Sequence, residues 1–330
     1  MINNIKNIIE YIKRSNDFIV TSHISPDGDN IGSTLGIYYT LKKLNKNVRY
    51  VLDDTIPLNM RFLVKDIEIL RSEDIKDSGY TLICMDCGDE KRICVNDDVK
   101  NNASTLINID HHVSNKLYGD LNYVDSEGSS TCELVYNMLT ELENMEKIKV
   151  VDEVIATALY TGLLTDTGNF TYSNAKPSSF EMAKNLIIAG ANKELIVQKV
   201  FQSNTYNYYK LLGEALNSLD IIDNKIAVIS VTHDMLNRNN ISFNDVDGVT
   251  NYTRDILGVE VGILLKQKKE NEIKVSLRAK SYVDVSKIAV YFGGGGHIKA
   301  AGCTVNDSIE NAKEKIVAKV KESLRTDLDE

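Results

Sequence analysis

Ile2, Ile5, Ile8, Ile9 and Ile12 recur at helical spacing and predict an amphipathic helix over residues 2–13. The pattern then changes. Phe18-Ile19-Val20-Thr21 is a short unbroken apolar run that predicts a buried strand ending at Ser22-His23. Turn residues Pro26-Asp27-Gly28-Asp29 lead to a helix from about Ile31 to Leu44. Further strands are predicted at Val48–Leu52, Tyr80–Met85 and Thr105–Ile109, the last two running into Asp86 and Asp110. Strands that alternate with helices predict a parallel sheet covered by helices on both faces.

Ser130-Thr131-Cys132-Glu133 reads as a capping box opening the next helix. A helix over about Asp152–Leu164 runs into the turn Thr165-Asp166-Thr167-Gly168, and Pro177 and Gly190 bracket another helix. Residues 191–219 carry helical pattern without strand signal and are read as a connector. Beyond it, Ile226–Val231, Val259–Leu265 and Ile273–Leu277 are strand-like, and Ile309–Leu324 is an amphipathic helix. The expected fold class is α/β: a parallel-sheet domain over residues 1–190, a helical connector over 191–219 and a smaller mixed α/β domain over 220–330. A chain of 330 residues has room for about two domains of roughly 150 residues.

Charge narrows the partners. The net charge of −9 argues against sequence-independent binding of long duplex nucleic acid, which needs many basic contacts to phosphate. It leaves room for a small anionic substrate if bound metal supplies local positive charge. No apolar stretch approaches the ~18 residues of a membrane span. The first residues lack the uninterrupted apolar region of a signal peptide. The five cysteines show no framework spacing and fit reduced thiols, so a cytoplasmic setting is expected. Cys84 and Cys87 have C-x-x-C spacing, but no second pair completes a zinc site, and a structural role at a strand end is the better reading.

The chemistry collects where strands end. His23, Asp27 and Asp29 follow the first strand, Asp86 a later one, and Asp110-His111-His112 the next. In open parallel sheets, ligands bind beyond the carboxyl ends of the strands, so these segments can converge, with Asp166 as a further contributor. Alone, Asp-Gly-Asp is usually a turn. Here four of the five histidines (His23, His111, His112, His297) fall in motif-like contexts, and only His233 does not. His23, Asp27 and Asp86 could hold one divalent ion. Asp29, Asp86, His111 and Asp166 could hold a second, with Asp86 shared. Imidazole plus carboxylate without thiolate favours manganese, with magnesium or cobalt as alternatives. Two such ions about 3.5–4 Å apart lower the pKa of a shared water and clamp a displacement at phosphorus. His112 would then face substrate, and Asp110 would orient the histidines. In the second domain, Gly293 to Gly296 before His297 lets backbone approach a phosphate, so Gly294, Gly295 and Gly296 are candidate substrate contacts. Arg278 could add a bidentate phosphate contact, and Arg254 is a weaker candidate.

These segments resemble the DHH superfamily of phosphoesterases. The matching residues are Thr21 to Asp29, Met85 to Asp89, Asn108 to His112 and Gly162 to Gly168. The Gly293–Gly302 stretch is similar to the DHH-associated C-terminal domain of the nanoRNase and RecJ branch. Within the superfamily the chain is most similar to the NrnA type. The resemblance implies manganese-dependent hydrolysis of oligoribonucleotides of about two to five nucleotides, and phosphatase action on 3′-phosphoadenosine 5′-phosphate (pAp). It also implies the metal ligands named above, substrate gripping by Arg278 and His297, and a homodimer. A phosphodiesterase for cyclic or linear dinucleotides shares the same ligands and is the alternative within this chemistry. A non-catalytic nucleotide sensor is the alternative outside it, and the intact ligand set argues against that.

Overall fold

A computed structural model describes residues 5–326, apart from the side chains of Asn244, Asp245, Asp247, His297, Arg325 and Thr326. Ile2, placed above on the first helix, lies outside the described residues. The chain forms two compact units, Met1–Ser203 and Asn204–Glu330.

The first unit runs α1 (Ile5–Arg14), β1 (Asp17–Ser22), α2 (Gly28–Lys43), β2 (Asn47–Val51), β3 (Ile69–Leu70), β4 (Thr81–Met85), α3 (Asp97–Asn101), β5 (Thr105–Asp110), β6 (Leu121–Val124), α4 (Thr131–Glu146), α5 (Glu153–Asp166), α6 (Pro177–Ile188) and α7 (Lys193–Ile196). Its six strands are all parallel in the order β3-β2-β1-β4-β5-β6. From β1 the chain adds β2 and β3 toward one edge, and from β4 it adds β5 and β6 toward the other, so a crevice opens beyond the carboxyl ends of β1 and β4, the usual place for a ligand. His23 and Asp86 follow those two strands. One sheet face, with Val20, Ile83 and Ile107, packs on α2, α4 and α5 through Leu35, Val135 and Leu159. The other, with Ile19, Leu82 and Cys84, is covered by Ile93, Val95 and Val99. β3 and β6 escaped the sequence reading: β3 has two residues, and β6 is a short edge strand with polar Asn122 in its middle.

Glycine brings the site's helices together. Gly28, Gly32 and Gly36 form one stripe of α2 at four-residue spacing against α5. A methyl group on Gly32 would lie 2.5 Å from the Ala158 carbonyl, and one on Gly162 would lie 2.9 Å from the Asp29 Cα. Backbones this close admit no side chain, and the contact sets Asp29 of α2 near the end of α5.

The second unit runs α8 (Tyr206–Asn217), β7 (Asp220–Ile222), β8 (Ile226–Val231), α9 (His233–Asn239), α10 (Thr250–Arg254), β9 (Val261–Lys269), β10 (Glu272–Ala279), α11 (Val285–Tyr291), β11 (Gly295–His297), β12 (Ala300–Val305) and α12 (Ile309–Thr326). The sheet order is β11-β12-β10-β9-β8-β7, antiparallel except for β8 beside β9. Val275, Leu277, Ala301 and Cys303 pack under α11 and α12. Ile229, Val231 and Leu264 face the opposite way, against α8 and α9.

Residues 191–219 are therefore not a separate connector. Ile196 of α7 is buried in the first unit's core, whereas Tyr208, Leu211, Leu212 and Ala215 of α8 are buried in the second's. Both stretches are amphipathic, and each helix follows the core its apolar face can enter.

Glu260 precedes β9 and holds the loop after β10. Its carboxylate accepts from the backbone N–H groups of Ser281, Tyr282 and Val283 at 2.8–3.0 Å and from the Ser281 hydroxyl at 2.6 Å. Burial works against the charge, but these donors outweigh it and hold the carboxyl below its usual range. Glu260→Ala leaves them unmatched and is expected to cost about 2 kcal/mol in chemical denaturation. A lowered folded pKa means that this contribution is complete above the unfolded value of about 4.3 and fades as pH falls through the folded value. A wild-type-minus-variant stability difference that shrinks below about pH 4 checks this.

Candidate metal centre

His23 stands at the end of β1 with its Nδ1 2.7 Å from the Ile24 carbonyl, so Nδ1 carries the proton and donates. Its Nε2 then faces the Oδ2 atoms of Asp86 at 3.4 Å and Asp27 at 3.9 Å. Asp27 divides its work: Oδ1 accepts the Asn30 N–H as the N-cap of α2, and Oδ2 turns to His23. His111 follows the same logic. Its Nδ1 is 3.4 Å from the Gly128 carbonyl, and Nε2 faces Asp166 at 3.6 Å, Asp86 at 3.7 Å and Asp29 at 3.9 Å. Each imidazole thus aims Nε2 at carboxylates 3.4–3.9 Å away, the arrangement in which an outer partner orients a metal-binding histidine.

Asp86 joins the two groups. It is 2% exposed, with one oxygen toward His23 and the other toward His111. Its φ is +54°, left-handed backbone that aspartate tolerates better than most residues and that turns the side chain off the end of β4. Among the described residues, three sets of side chains bring ligand atoms within 4.8 Å of one another: His23, Asp27 and Asp86; Asp29, His111 and Asp166; and Asp86, His111 and His112. The six residues anticipated as ligands therefore lie together. Asp166 is the last residue of α5 rather than part of the following turn, because the helix runs two residues further than its apolar pattern.

The charges need a counterpart. Burial and the neighbouring charge of Asp86 push the carboxyls of Asp29 and Asp166 well above the usual range. Burial also works against ionised Asp86, but His23, His111 and His112 outweigh it and hold Asp86 well below that range. Burial opposes charge on His23, yet Asp86 pushes its pKa up to about 9. A set of four carboxylates that must share protons when alone fits two divalent cations, whose charge of +4 balances it. The donor set, imidazole and carboxylate, suits hard or borderline ions.

His112 is held differently. Its Nδ1 lies 2.7 Å from Oδ1 of Asp110, which is fully buried, and 3.6 Å from Asp86. Burial again opposes the charge, and Asp110 first among the carboxylates lifts the pKa to about 9. The other Asp110 oxygen accepts from Asn115 Nδ2 at 2.5 Å.

Several supporting residues carried no signal in the motifs. Thr131 donates its hydroxyl to Asp86 Oδ1 at 2.9 Å. The first N–H groups of α4, from Thr131 and Cys132, reach the two oxygens of Asp29 at 2.7 and 2.8 Å, so the helix N-terminus favours its ionised form. Asn174 donates to the Ser129 and Asp166 carbonyls. The capping residue Ser130 does accept the Glu133 N–H, but the Glu133 carboxylate reaches back to Ser129 instead of Ser130. Only the capping pattern around Thr131 hinted that this helix end matters. Thr131→Val keeps the shape and deletes the hydroxyl; we expect metal affinity to fall about 10- to 100-fold in a calorimetric titration.

Arg254, Arg278 and Gly294–Gly296 belong to the second unit. Arg254 bonds the Asp255 carboxylate through Nε and Nη2 at 3.1 and 3.0 Å. Arg278 donates from Nη1 to the Leu277 carbonyl. The glycine run is not simply a loop: Gly295 to His297 form β11, paired to β12. A methyl on Gly294 or Gly296 would strike the β12 backbone, whereas Gly295 borders open space. Two of these glycines are thus required by packing alone. His297 closes the strand, and its side chain lies outside the described residues.

The comparisons agree with this architecture. Residues 17–163 match the DHH family, N-terminal domain, and residues 210–326 match the DHHA1 domain. The bifunctional oligoribonuclease and PAP phosphatase NrnA of Thermus thermophilus is 32% identical over 92% of this chain and 89% of its own length. A probable bifunctional oligoribonuclease and PAP phosphatase NrnA of Streptococcus mutans is 28% identical over 97% of this chain and 99% of its own. An exopolyphosphatase-related protein from Bacteroides fragilis superposes with a TM-score of 0.85 at 26% identity, covering 98% of this chain and 95% of that one. With both domains matched in order and a relative of 32% identity along nearly its whole length, the chain belongs to the DHH family of phosphoesterases.

Proposed function

We propose that this protein is a metal-dependent phosphoesterase that hydrolyses short oligoribonucleotides to mononucleotides and converts pAp to AMP. The observation that carries the reading is Asp86, one buried carboxylate between two sets of imidazole and carboxylate donors. The relatives named as oligoribonuclease and PAP phosphatase support the substrate class.

His23, Asp27 and Asp86 would hold one cation, and Asp29, Asp86, His111 and Asp166 the other; manganese suits this donor set. When bound, the two cations supply Lewis acidity toward water and the phosphoryl oxygens. The chain's own residues do the rest. Asp110 fixes the His112 ring through Nδ1, so any contact with substrate is made through Nε2. From there His112 gives a proton to the departing oxygen as water adds at phosphorus and the P–O ester bond breaks. Arg278 and the backbone around Gly295, with His297, grip a substrate phosphate. A cytoplasmic setting fits the five buried, unpaired cysteines, and no described helix is long and apolar enough to cross a membrane. We further propose a homodimer, on the family resemblance, to be tested by light scattering.

Mass spectrometry of products from a dinucleotide, a linear pentaribonucleotide, pAp and cyclic di-AMP tests the substrate class. Mononucleotides from the linear substrates and AMP from pAp are expected. Turnover of cyclic di-AMP with all linear substrates left intact would overturn the reading.

A further inference from the structure

Just past Asp166 the chain enters three consecutive left-handed residues, Gly168, Asn169 and Phe170, with φ of +55°, +57° and +64°. Glycine and asparagine accept this backbone, but for a bulky residue such as phenylalanine it is strained. Such strain collects at functional sites, where the surrounding structure imposes it. Here the end of α5 imposes it. The Leu164 carbonyl accepts the Asn169 N–H at 2.7 Å, and the buried Thr167 hydroxyl accepts that of Phe170 at 3.2 Å. The Phe170 ring is anchored against the first unit's core and stacks on Phe180 with centroids 4.8 Å apart.

The strained turn brings the chain back to the metal ligand. The Tyr172 N–H returns to the Thr167 carbonyl at 3.0 Å, and Asn174 Nδ2 reaches the Asp166 carbonyl at 3.1 Å. Between these two bonds the Tyr172 ring is laid on Gly168. A methyl group on that glycine would run into three adjacent ring carbons, Cε1, Cζ and Cε2, so only a bare backbone leaves room for the ring. Gly168 is two residues past Asp166, which puts the ring's seat within about 7 Å of the ligand's Cα. Tyr172 is nevertheless 37% exposed. Aromatic rings exposed singly need no explanation. This one has a glycine seat beside a metal ligand, built by a strained turn, and every residue involved belongs to the first unit.

We propose that Tyr172 is a base-stacking residue, whose ring receives the nucleobase adjoining the phosphate under attack. The inference rests on the functional reading above. A base joined through one ribose to a phosphate at the cations reaches a ring seated this close. Stacking on an aromatic ring is tolerant of sequence, because every base has a π-face. Tyr172 therefore selects for the presence of a base and not for its identity, which suits an enzyme that clears oligonucleotides of mixed sequence.

The experiment pairs pAp with ribose 3′,5′-bisphosphate, the same molecule without adenine. In Tyr172→Ala, KM for pAp is expected to rise about tenfold more than KM for the base-free bisphosphate, the effect of one lost stacking contact. Tyr172→Phe keeps the ring and should restore the wild-type ratio of the two KM values to within about twofold. Equal changes on both substrates, no change, or a phenylalanine variant as impaired as alanine would overturn the proposal. Calorimetric binding of AMP and of ribose 5-phosphate to the manganese-loaded protein needs no turnover. Wild type should bind AMP the more tightly, and Tyr172→Ala should lose most of that difference. If wild type hydrolyses neither bisphosphate, the functional reading fails and this binding difference alone decides the role of Tyr172; equal binding of the two ligands by wild type would overturn it.

Discussion

Asp86→Asn is expected to lower turnover about a thousandfold or more and to release bound metal. The carboxylate faces His23 with one oxygen and His111 with the other, and accepts the Thr131 hydroxyl. No other residue belongs to both ligand sets anticipated from the sequence. Removing its charge weakens both positions at once, and metal assistance at phosphorus provides several kcal/mol, each 1.36 kcal/mol being a factor of ten in rate. Asparagine is the informative replacement because it also tolerates the left-handed backbone at φ +54°. Alanine would add backbone strain to the loss of charge. Metal content by plasma mass spectrometry, with circular dichroism to show the fold intact, reads the result. Full turnover in the asparagine variant would remove Asp86 from the mechanism.

His112→Asn is expected to separate chemistry from metal. If this imidazole protonates the leaving oxygen, kcat falls about 10²- to 10⁴-fold while metal content stays near that of wild type. His112 also lies within reach of Asp86 and His111, so the geometry alone would let it act as a ligand. Its Nδ1 is taken by Asp110 at 2.7 Å, and that bond sets the two roles apart. A variant that loses one equivalent of metal would mark His112 as a ligand. Asp110→Asn should follow His112→Asn in direction with a smaller effect, since it reorients the ring without removing it.

The main elements of the first unit were legible because its parallel strands, buried on both faces, read as apolar runs, and because each chemical motif follows such a run. His23, Asp86 and Asp110 stand at strand ends, where sequence alone can place them. What sequence could not show was how α4 takes part. Thr131 and Cys132 reach Asp29 across more than a hundred residues of chain, and nothing local to either segment reports it. The left-handed backbone at Asp86 was equally hidden, since aspartate carries no mark of it. In the second unit, β11 was masked by glycine, which is poor in strand propensity yet is required at Gly294 and Gly296 by the approach of β12. The boundary near residue 203 was missed because α7 and α8 share one helical pattern, and only their packing assigns them to different cores.

Two cations sharing the Asp86 carboxylate are the centre of the proposed mechanism. Anomalous diffraction from crystals of the manganese-loaded protein tests that directly. Two peaks are expected, one among His23, Asp27 and Asp86 and one among Asp29, His111 and Asp166, both within coordination distance of Asp86. A single peak, or two peaks with Asp86 bound to only one, would contradict it.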